Sequence, residues 1–546
     1  MYTHHRPGRP PTRAQRGIIC SPHYLASSTG LDVLRNGGSA VDAAIAANAT
    51  LCVVYPHMAG LGGDGFWQIC ADGDVEAINA SGPAASKATR DYYEELGYEE
   101  IPERGSASAL TVPGAVDGWR LAHKKHGRLP WRRLFEDAIT YAREGIAITD
   151  DFARWIAEDA GVLAKQSMAA ETFLSSGEAP TAGSVITQPA LADSFETLAD
   201  QGPRKGFYDG PIADEFCGGL GDESPLSSRD FRDYQAEWVS PLSIEYRGYT
   251  AHSLPPNTQG IAALQILGLL DGFAVSAWGD GTADYYHHMV EVTKVAFGDR
   301  DAWVTAPETV DLPAKKLLSS AYLDERRSLI EPSQSLAANV EAGIEPEGID
   351  PQPQDPGGDT CYLSVVDNDG LAVSLIQSIY FDFGSGFVAG DSGIIPQNRG
   401  SFFSLDSTHI NSLEPGKRTF HTLIPGLITQ NGEPWLLYGT MGGEGQPQTQ
   451  AAIVSRIVDF GYNVQTAIEA PRWLFGRTWG AESRSLSLEA RIPDGVVTEL
   501  QRRGQPVEMA RRFDDTMGHA AAIRVHSDGT LEGGADPRGD GAALGY

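Results

Sequence analysis

The chain has 546 residues, with 42 Lys and Arg against 72 Asp and Glu, and a formal net charge of -30 at pH 7. A chain this acidic lacks the cationic field that holds nucleic acid or an anionic membrane surface, so both are excluded as expected partners. Only nine of the basic residues are lysine, and an acidic, lysine-poor surface is expected either of a halophilic protein, which must stay hydrated where salt screens charge repulsion within roughly 3 Å, or of an ordinary acidic enzyme from an Arg-rich proteome.

Five cysteines (Cys20, Cys52, Cys70, Cys217, Cys361) are odd in number and widely spaced. They predict neither a disulfide framework nor a structural zinc, and a reducing compartment fits them best. The basic, proline-rich first twenty residues lack an apolar h-region, and the apolar run from Gly260 to Val275 is broken by Gln265 and Asp271. No signal peptide and no membrane span are expected, and the predicted location is cytoplasmic.

In chain order, Gly30 to Pro56 predicts two helices broken at Asn36-Gly37-Gly38, the second capped by Ser39 with Asp42 three residues on and Ala-rich to Thr50. Phe66 to Asn79 predicts a hairpin turning at Ala71-Asp72-Gly73-Asp74. Helical periodicity dominates from Pro113 to about Phe273, as in Gly114 to His126 and Trp131 to Glu144, and returns at Ala283 to Phe297. After Thr360 come strands with turns at Asp367-Asn368-Asp369-Gly370 and Asn431-Gly432, then a helix from about Gln448 to Val458. Helices early and late, with strands in two runs, predict stacked α and β layers.

The segment 333–359 has four prolines, four glycines and almost no large apolar side chains. It cannot bury enough to hold a fold of its own and is expected to be a flexible tail. Directly after it, Thr360 opens an alternating apolar strand. A cut between Asp359 and Thr360 would place a hydroxyl nucleophile and an α-amine base on one residue. With Asn368 and Asp369 as the turn centre, facing residues sum to about 737, so Thr360 should lie opposite Gln377 and diagonal to Ser378. Ser378 is then either a hydroxyl that tunes Thr360 or a plain strand-end serine. Gly442 and Gly443, between an apolar strand and a helix, could offer adjacent amides to an oxyanion or merely supply a turn of positive φ.

Gly60-Leu61-Gly62-Gly63-Asp64-Gly65 lacks the strand-loop-helix setting of a dinucleotide loop. Asp536-Pro537-Arg538 reads as a turn with a surface arginine. The histidines His57, His123, His126, His287, His288 and His421 show no metal-ligand spacing, so no metal and no cofactor are expected.

Several motifs together resemble the γ-glutamyltransferase family of N-terminal nucleophile hydrolases over nearly the whole chain. They are Leu34 to Ala49, Ala59 to Phe66, Val112 to Trp119, Asp359 to Ser374, Phe383 to Ile395, Pro415 to Arg418, Met441 to Gln448 and the terminal ADPRGDGAALGY. The resemblance implies an α+β fold, a four-layer αββα sandwich. It also implies a proenzyme cut before Thr360 into a large subunit, 1–359, and a small subunit, 360–546, that remain together as a heterodimer. Thr360 would be the nucleophile, Gly442 and Gly443 the oxyanion hole, and Ser378 stands where the family has its second threonine.

The pocket departs from the γ-glutamyl pattern. Asn79 replaces the arginine that clamps the substrate α-carboxylate, Tyr380 replaces an asparagine, Asn398-Arg399-Gly400 replaces the segment that meets the α-amine, and His421-Thr422 replaces paired serines. The segment from Pro396 to Asp406 looks like the branch that includes oxamate amidohydrolase, and Arg399 is either the group that binds a small substrate's carboxylate or a structural arginine paired with an acidic neighbour. The expected function is a self-processing amidohydrolase acting on a small amide. A true γ-glutamyltransferase or glutathione hydrolase with a rewired pocket is the alternative, and an unprocessed inactive scaffold is the alternative of another class. Cutting one residue later would expose Cys361 as a thiol nucleophile instead.

Overall fold

The computed structural model describes residues 8–346, 359–476 and 485–546. Two seven-stranded antiparallel sheets lie face to face. In the first, the order is Ala542–Gly545, Ile18–Ser21, Asp359–Val366, Ala372–Tyr380, Asp64–Ala71, Asp74–Ala80 and Glu237–Val239. In the second it is Thr12–Ala14, Leu531–Ala535, Ala520–Val525, Glu433–Thr440, Gly426–Gln430, Tyr249–Ser253 and Leu242–Tyr246. Both sheets combine strands from before and after Asp359.

Alternation along the strands divides the core. Tyr362 and Val366 join Phe66, Ile376, Leu427 and Leu437 between the sheets. Cys361, Leu363 and Val365 point the other way, into the cluster built on the helix Ala40–Val54. Helices Gly260–Asp271, Ala283–Trp303 and Gly445–Val458 cover the second sheet. The layers are therefore α, β, β, α.

Local signals formed as read where the chemistry is local. Ser39 Oγ accepts from Asp42 N at 3.1 Å, and Asp42 Oδ2 accepts from Ser39 N at 2.9 Å, closing the predicted capping box. That helix runs on to Val54 because every residue from Ala40 to Val54 is buried. The hairpin turns sit at Asp72-Gly73 and Asn431-Gly432, all four residues having positive φ. Helix Ala283–Trp303 outruns the predicted stop at Phe297 because the residues beyond it face partners rather than water. Gly298 lets the carbonyl of Val340 approach so closely that a Cβ would sit 2.2 Å from it. Asp299 Oδ1 accepts from Gly343 N at 3.0 Å and from the Tyr322 hydroxyl at 2.7 Å.

Residues 333–346 thus lie along this helix, further held by Leu336 N donating to Glu291 Oε2 at 2.6 Å and Trp303 Nε1 donating to Ile344 O at 2.8 Å. Residues 347–358, the remainder of the proposed tail before Asp359, lie outside the described residues.

Arg538 corrects the sequence reading. It is no surface arginine: its side chain is fully buried between Glu489, at 2.8 Å, and Asp536, at 3.0 Å. Arg472 joins the same cluster, 2.5 Å from Asp536. Removing one partner strands a buried carboxylate. Arg538→Ala is expected to cost about 3–5 kcal/mol, measured as a lowered urea midpoint with an unchanged slope.

Candidate active site

The strand Asp359–Val366 pairs with Ala372–Tyr380 in a register one residue from the expected one. Cys361 faces Gln377 and Tyr362 faces Ile376, so facing residues sum to 738. The reason is the turn: Asp367 Oδ1 accepts from Asp369 N at 3.0 Å and Leu371 N at 3.1 Å, closing a five-residue loop where a four-residue turn was predicted. At the other end a bulge follows, since Asp359 faces Tyr380. One residue, Thr360, therefore opposes two, Ser378 and Ile379. The alternation places Thr360 and Ser378 on the inter-sheet face with Tyr362, while Cys361 points into the helix layer, where Asn48 Nδ2 lies 3.8 Å from its sulfur. Burial pushes the Cys361 thiol up to about 12.

Thr360 is 1% exposed, and its Oγ1 has no hydrogen-bond partner among the described residues. Ser378 Oγ accepts from Tyr380 N at 2.7 Å, and Tyr380 takes φ 86, a left-handed conformation costly for an aromatic residue. That turn aims the Tyr380 ring at Arg399, whose guanidinium carbon lies 4.0 Å from the ring centroid. Arg399 is 1% exposed; Nη1 donates to Thr422 Oγ1 at 3.4 Å, and Nε meets no acceptor among the described residues. Burial lowers its pKa to about 10, leaving it cationic at neutral pH.

His421, beside Thr422, contacts Asp64 Oδ2 through Nε2 at 3.2 Å. Asn79 donates to Asn257 Oδ1 at 2.9 Å, and its own Oδ1 accepts from Ser81 N and Oγ. Asn257 in turn accepts from His421 N at 2.8 Å and donates to Thr419 O at 2.7 Å. Asn79 is thus a strut under the pocket loop, occupied by its neighbours.

Gly442 and Gly443 follow the strand Glu433–Thr440 with φ 113 and 49. Two carbonyls fix their amides. Met441 O accepts from Thr440 Oγ1 at 2.8 Å, and Gly442 O accepts from Gly445 N at 2.7 Å, so the following N–H groups point away from the strand and helix. Neither N–H donates to a backbone carbonyl among the described residues. Gln259 ties this turn to the rest: its Nε2 donates to Gly443 O at 3.0 Å and Thr422 O at 2.8 Å. The structure accordingly connects Thr360, Ser378, Tyr380, Arg399, Thr422, His421 and the two glycines at one end of the sandwich.

Sequence reasoning missed Asp64, Asn257, Gln259 and Gln397, whose Nε2 donates to Asp64 Oδ1 at 3.0 Å. Asp64 carried a signal, a lone carboxylate inside a glycine run whose backbone must approach other chains; a Cβ on Gly63 would lie 2.3 Å from Ser378 O. Gln259, in Pro255-Pro256-Asn257-Thr258-Gln259, carried none. Among the described residues no cluster of His, Cys, Asp and Glu could hold a metal ion, and no helix is long and apolar enough to cross a membrane.

A threonine opening a central strand of an αββα sandwich, beside a glycine turn at a helix N-terminus, defines the N-terminal nucleophile hydrolase class. The γ-glutamyltranspeptidase family profile matches residues 26–546. Among curated relatives, the glutathione hydrolase-like YwrD proenzyme of Bacillus subtilis is 45% identical, over 97% of this chain and 98% of its own. The oxamate amidohydrolase proenzyme of Klebsiella pneumoniae is also 45% identical, over the same shares. The crystal structure of a cephalosporin acylase from Bacillus halodurans superposes with a TM-score of 0.89 at 35% identity, covering 100% of this chain and 98% of that one. The chain belongs to the γ-glutamyltranspeptidase family and is an enzyme of its hydrolase and acyltransferase type.

Because the Cys361 sulfur lies on the far face of its strand, Cys361→Ser is expected to leave chain cleavage and turnover within about threefold of wild type. Intact mass and steady-state rates check this; loss of cleavage would return the thiol to the site.

Proposed function

We propose that the protein is a self-processing amidohydrolase that cleaves small carboxylate-bearing amides, of the oxamate type, through an acyl-enzyme on Thr360. The observation that carries the reading is the buried Thr360 Oγ1, without a partner among the described residues, at the same end of the sandwich as Arg399 Nε, which also meets none among them. Buried polar atoms without partners are rare and call for a ligand, a water or a chemical role.

In processing, Thr360 Oγ1 attacks the carbonyl carbon of Asp359; the C–N bond breaks, the Thr360 nitrogen takes the hydroxyl proton, and an ester joins the two residues. Water then hydrolyses the ester, leaving an Asp359 carboxylate and a free Thr360 terminus. The pieces stay together because both sheets contain strands from each, which supports a heterodimer of 1–359 and 360–546.

In turnover, the freed α-amine, with a reference pKa of roughly 7.7–8.0, accepts the Thr360 hydroxyl proton as the oxygen attacks the amide carbon. The Gly442 and Gly443 amides stabilise the oxyanion. The amine departs with the proton held by the Thr360 ammonium, and water releases the acid. Ser378 supplies the second hydroxyl beside the nucleophile, and Tyr380 and Thr422 hold Arg399 for the substrate carboxylate. His421 stands next to it, and Asn79 supports the loop. All five cysteines are free, which supports a reducing, cytoplasmic setting.

Intact mass with N-terminal sequencing tests the nucleophile. Wild type is expected as two pieces, the smaller starting Thr360-Cys361-Tyr362, and Thr360→Ala as one uncut chain; an uncut wild type sinks the reading. Arg399→Ala is expected to raise KM for oxamate-like amides by about 10- to 100-fold, the worth of a charged hydrogen bond, with a smaller change for amides lacking the carboxylate. An unchanged KM removes Arg399 from the pocket.

A further inference from the structure

Glu444 directly follows Gly442 and Gly443 and stands at the N-cap of helix Gly445–Val458. Its Oε1 accepts from Arg300 Nη2 at 2.5 Å. The ion pair is buried, with 2% of the Arg300 side chain and 8% of the Glu444 side chain exposed. A carboxylate at a helix N-terminus suits the helix dipole, but it opposes any negative charge that develops on the amides beside it. Where little water intervenes, that opposition is strong unless a cation offsets it.

Arg300 is firmly placed to supply the offset. It lies near the end of helix Ala283–Trp303, next to Asp299, which accepts from Gln265 Nε2 at 2.7 Å as well as from Tyr322 and Gly343. The guanidinium carbon sits 3.8 Å from the Phe297 ring centroid. Its three nitrogens donate in three directions: Nε to Asp301 Oδ1 at 2.7 Å, Nη2 to Glu444, and Nη1 to Gln259 Oε1 at 3.3 Å. Gln259 passes the connection on, because its Nε2 donates to the carbonyls of Gly443 and Thr422. The cation is thus tied to the glycine turn twice, through Glu444 and through Gln259.

Burial disfavours the Arg300 charge, but Asp301 and Glu444 outweigh it and hold the pKa above the ordinary arginine value. The two carboxylates are not equivalent. Asp301 has 24% of its side chain exposed, where water screens it, whereas Glu444 is almost wholly withdrawn from solvent. Without Arg300, the carboxylate left uncompensated beside the turn would be Glu444.

We propose that Arg300 is a positioning residue for acyl transfer, acting through Glu444: its charge offsets the carboxylate beside the Gly442 and Gly443 amides, so that the amides can hold an oxyanion. The oxyanion site is then built from both sides of the Asp359–Thr360 bond, with its amides after the bond and its counter-charge before it. The proposal rests on the reading that these two amides stabilise the oxyanion formed with Thr360, and it adds the group that sets their field.

A double-mutant cycle tests it, with kcat and KM measured on oxamate or L-glutamine, whichever wild type turns over faster. Arg300→Met keeps the stem and removes the charge, stranding Glu444. It is expected to lower kcat by about 10- to 100-fold, short of the roughly 100- to 1,000-fold that follows outright loss of an oxyanion donor, with KM changed by about threefold or less. Glu444→Gln keeps an acceptor for Nη2, and kcat is expected to fall by about threefold or less. In Arg300→Met with Glu444→Gln neither charge remains, and kcat is expected to return to within about fivefold of wild type.

A purely structural contact predicts the reverse, since the double variant has lost both partners and would fare no better than Arg300→Met. An unchanged kcat in Arg300→Met, or a double variant no faster than it, overturns the charge role. If Arg300→Met does not fold or is not cut, the double variant decides: a cut enzyme within about fivefold of wild type supports the proposal, and a folded one slower by about tenfold or more overturns it. Failure of the parent reading shows earlier and elsewhere, as a wild type that stays uncut or turns over neither amide, and it takes this proposal with it.

Discussion

One bulge sets the geometry of the reactive end. A regular antiparallel pair would bury Thr360 as another ladder residue, its backbone spoken for by the strand beside it. With Ser378 and Ile379 together opposing Thr360, the ladder breaks at the residue that is proposed to become a chain terminus. Pairing resumes at Cys361 and Gln377, and the Gln377 side chain, gripped by Asn48 at 2.8 Å and donating to Gly60 O at 2.6 Å, fixes the height at which the bulge falls. The strain shows again at Tyr380, whose left-handed backbone is held by the Ser378 hydroxyl and aims the ring at Arg399. The proposed nucleophile, the hydroxyl beside it and the arginine proposed for the substrate thus derive their places from one irregularity.

The second constraint is topological. Strand Asp359–Val366 lies between Ile18–Ser21 and Ala372–Tyr380, and in the other sheet Thr12–Ala14 pairs with Leu531–Ala535 and Tyr249–Ser253 with Gly426–Gln430. Neither sheet can form without both sides of the Asp359–Thr360 bond. A fold of this kind assembles first and is cut afterwards, since long-range pairing of two separate chains would first have to overcome the entropy of bringing them together. The stretch before the bond docks on helix Ala283–Trp303 through Leu336, Gly343 and Ile344, and the sequence beyond, rich in proline and glycine, has little to bury.

What the sequence discloses follows the range of the interactions. The Ser39 capping box, the Asn431-Gly432 turn and the glycine turn before Gly445–Val458 are written within a few residues and could be read directly. The register at Thr360 was missed by one because an aspartate at the turn, Asp367, bonds two amides ahead and lengthens the loop. That single step matters, since residues directly opposite share a face and only the observed register puts Ser378 on the face of Thr360. Arg538 read as a surface residue because its partner Glu489 is 49 positions away. Gln259 and Asn257 look like loop residues until the chain brings Thr422, Gly443 and Asn79 to them. The candidate site came from the family motifs where spacing alone could not give it, because Thr360, Arg399 and Gly442 are far apart in the sequence.

The pocket shows how one clamp can be exchanged for another without touching the nucleophile. Position 79, where an arginine would reach a substrate carboxylate from the strand Asp74–Ala80, is given over to bracing Asn257 and Ser81. The positive charge stands instead at Arg399, whose guanidinium carbon lies 4.0 Å from the Tyr380 ring centroid and 5.5 Å from that of Phe402. Rings attract the guanidinium but do not neutralise it, and Asp64 acts on it only from beyond ion-pair distance. With its pKa lowered to about 10, Arg399 stays charged at neutral pH. On the proposed reading, the carboxylate of an acyl group gives Arg399 the close anionic partner that Asp64 supplies only at longer range, and a neutral amide does not.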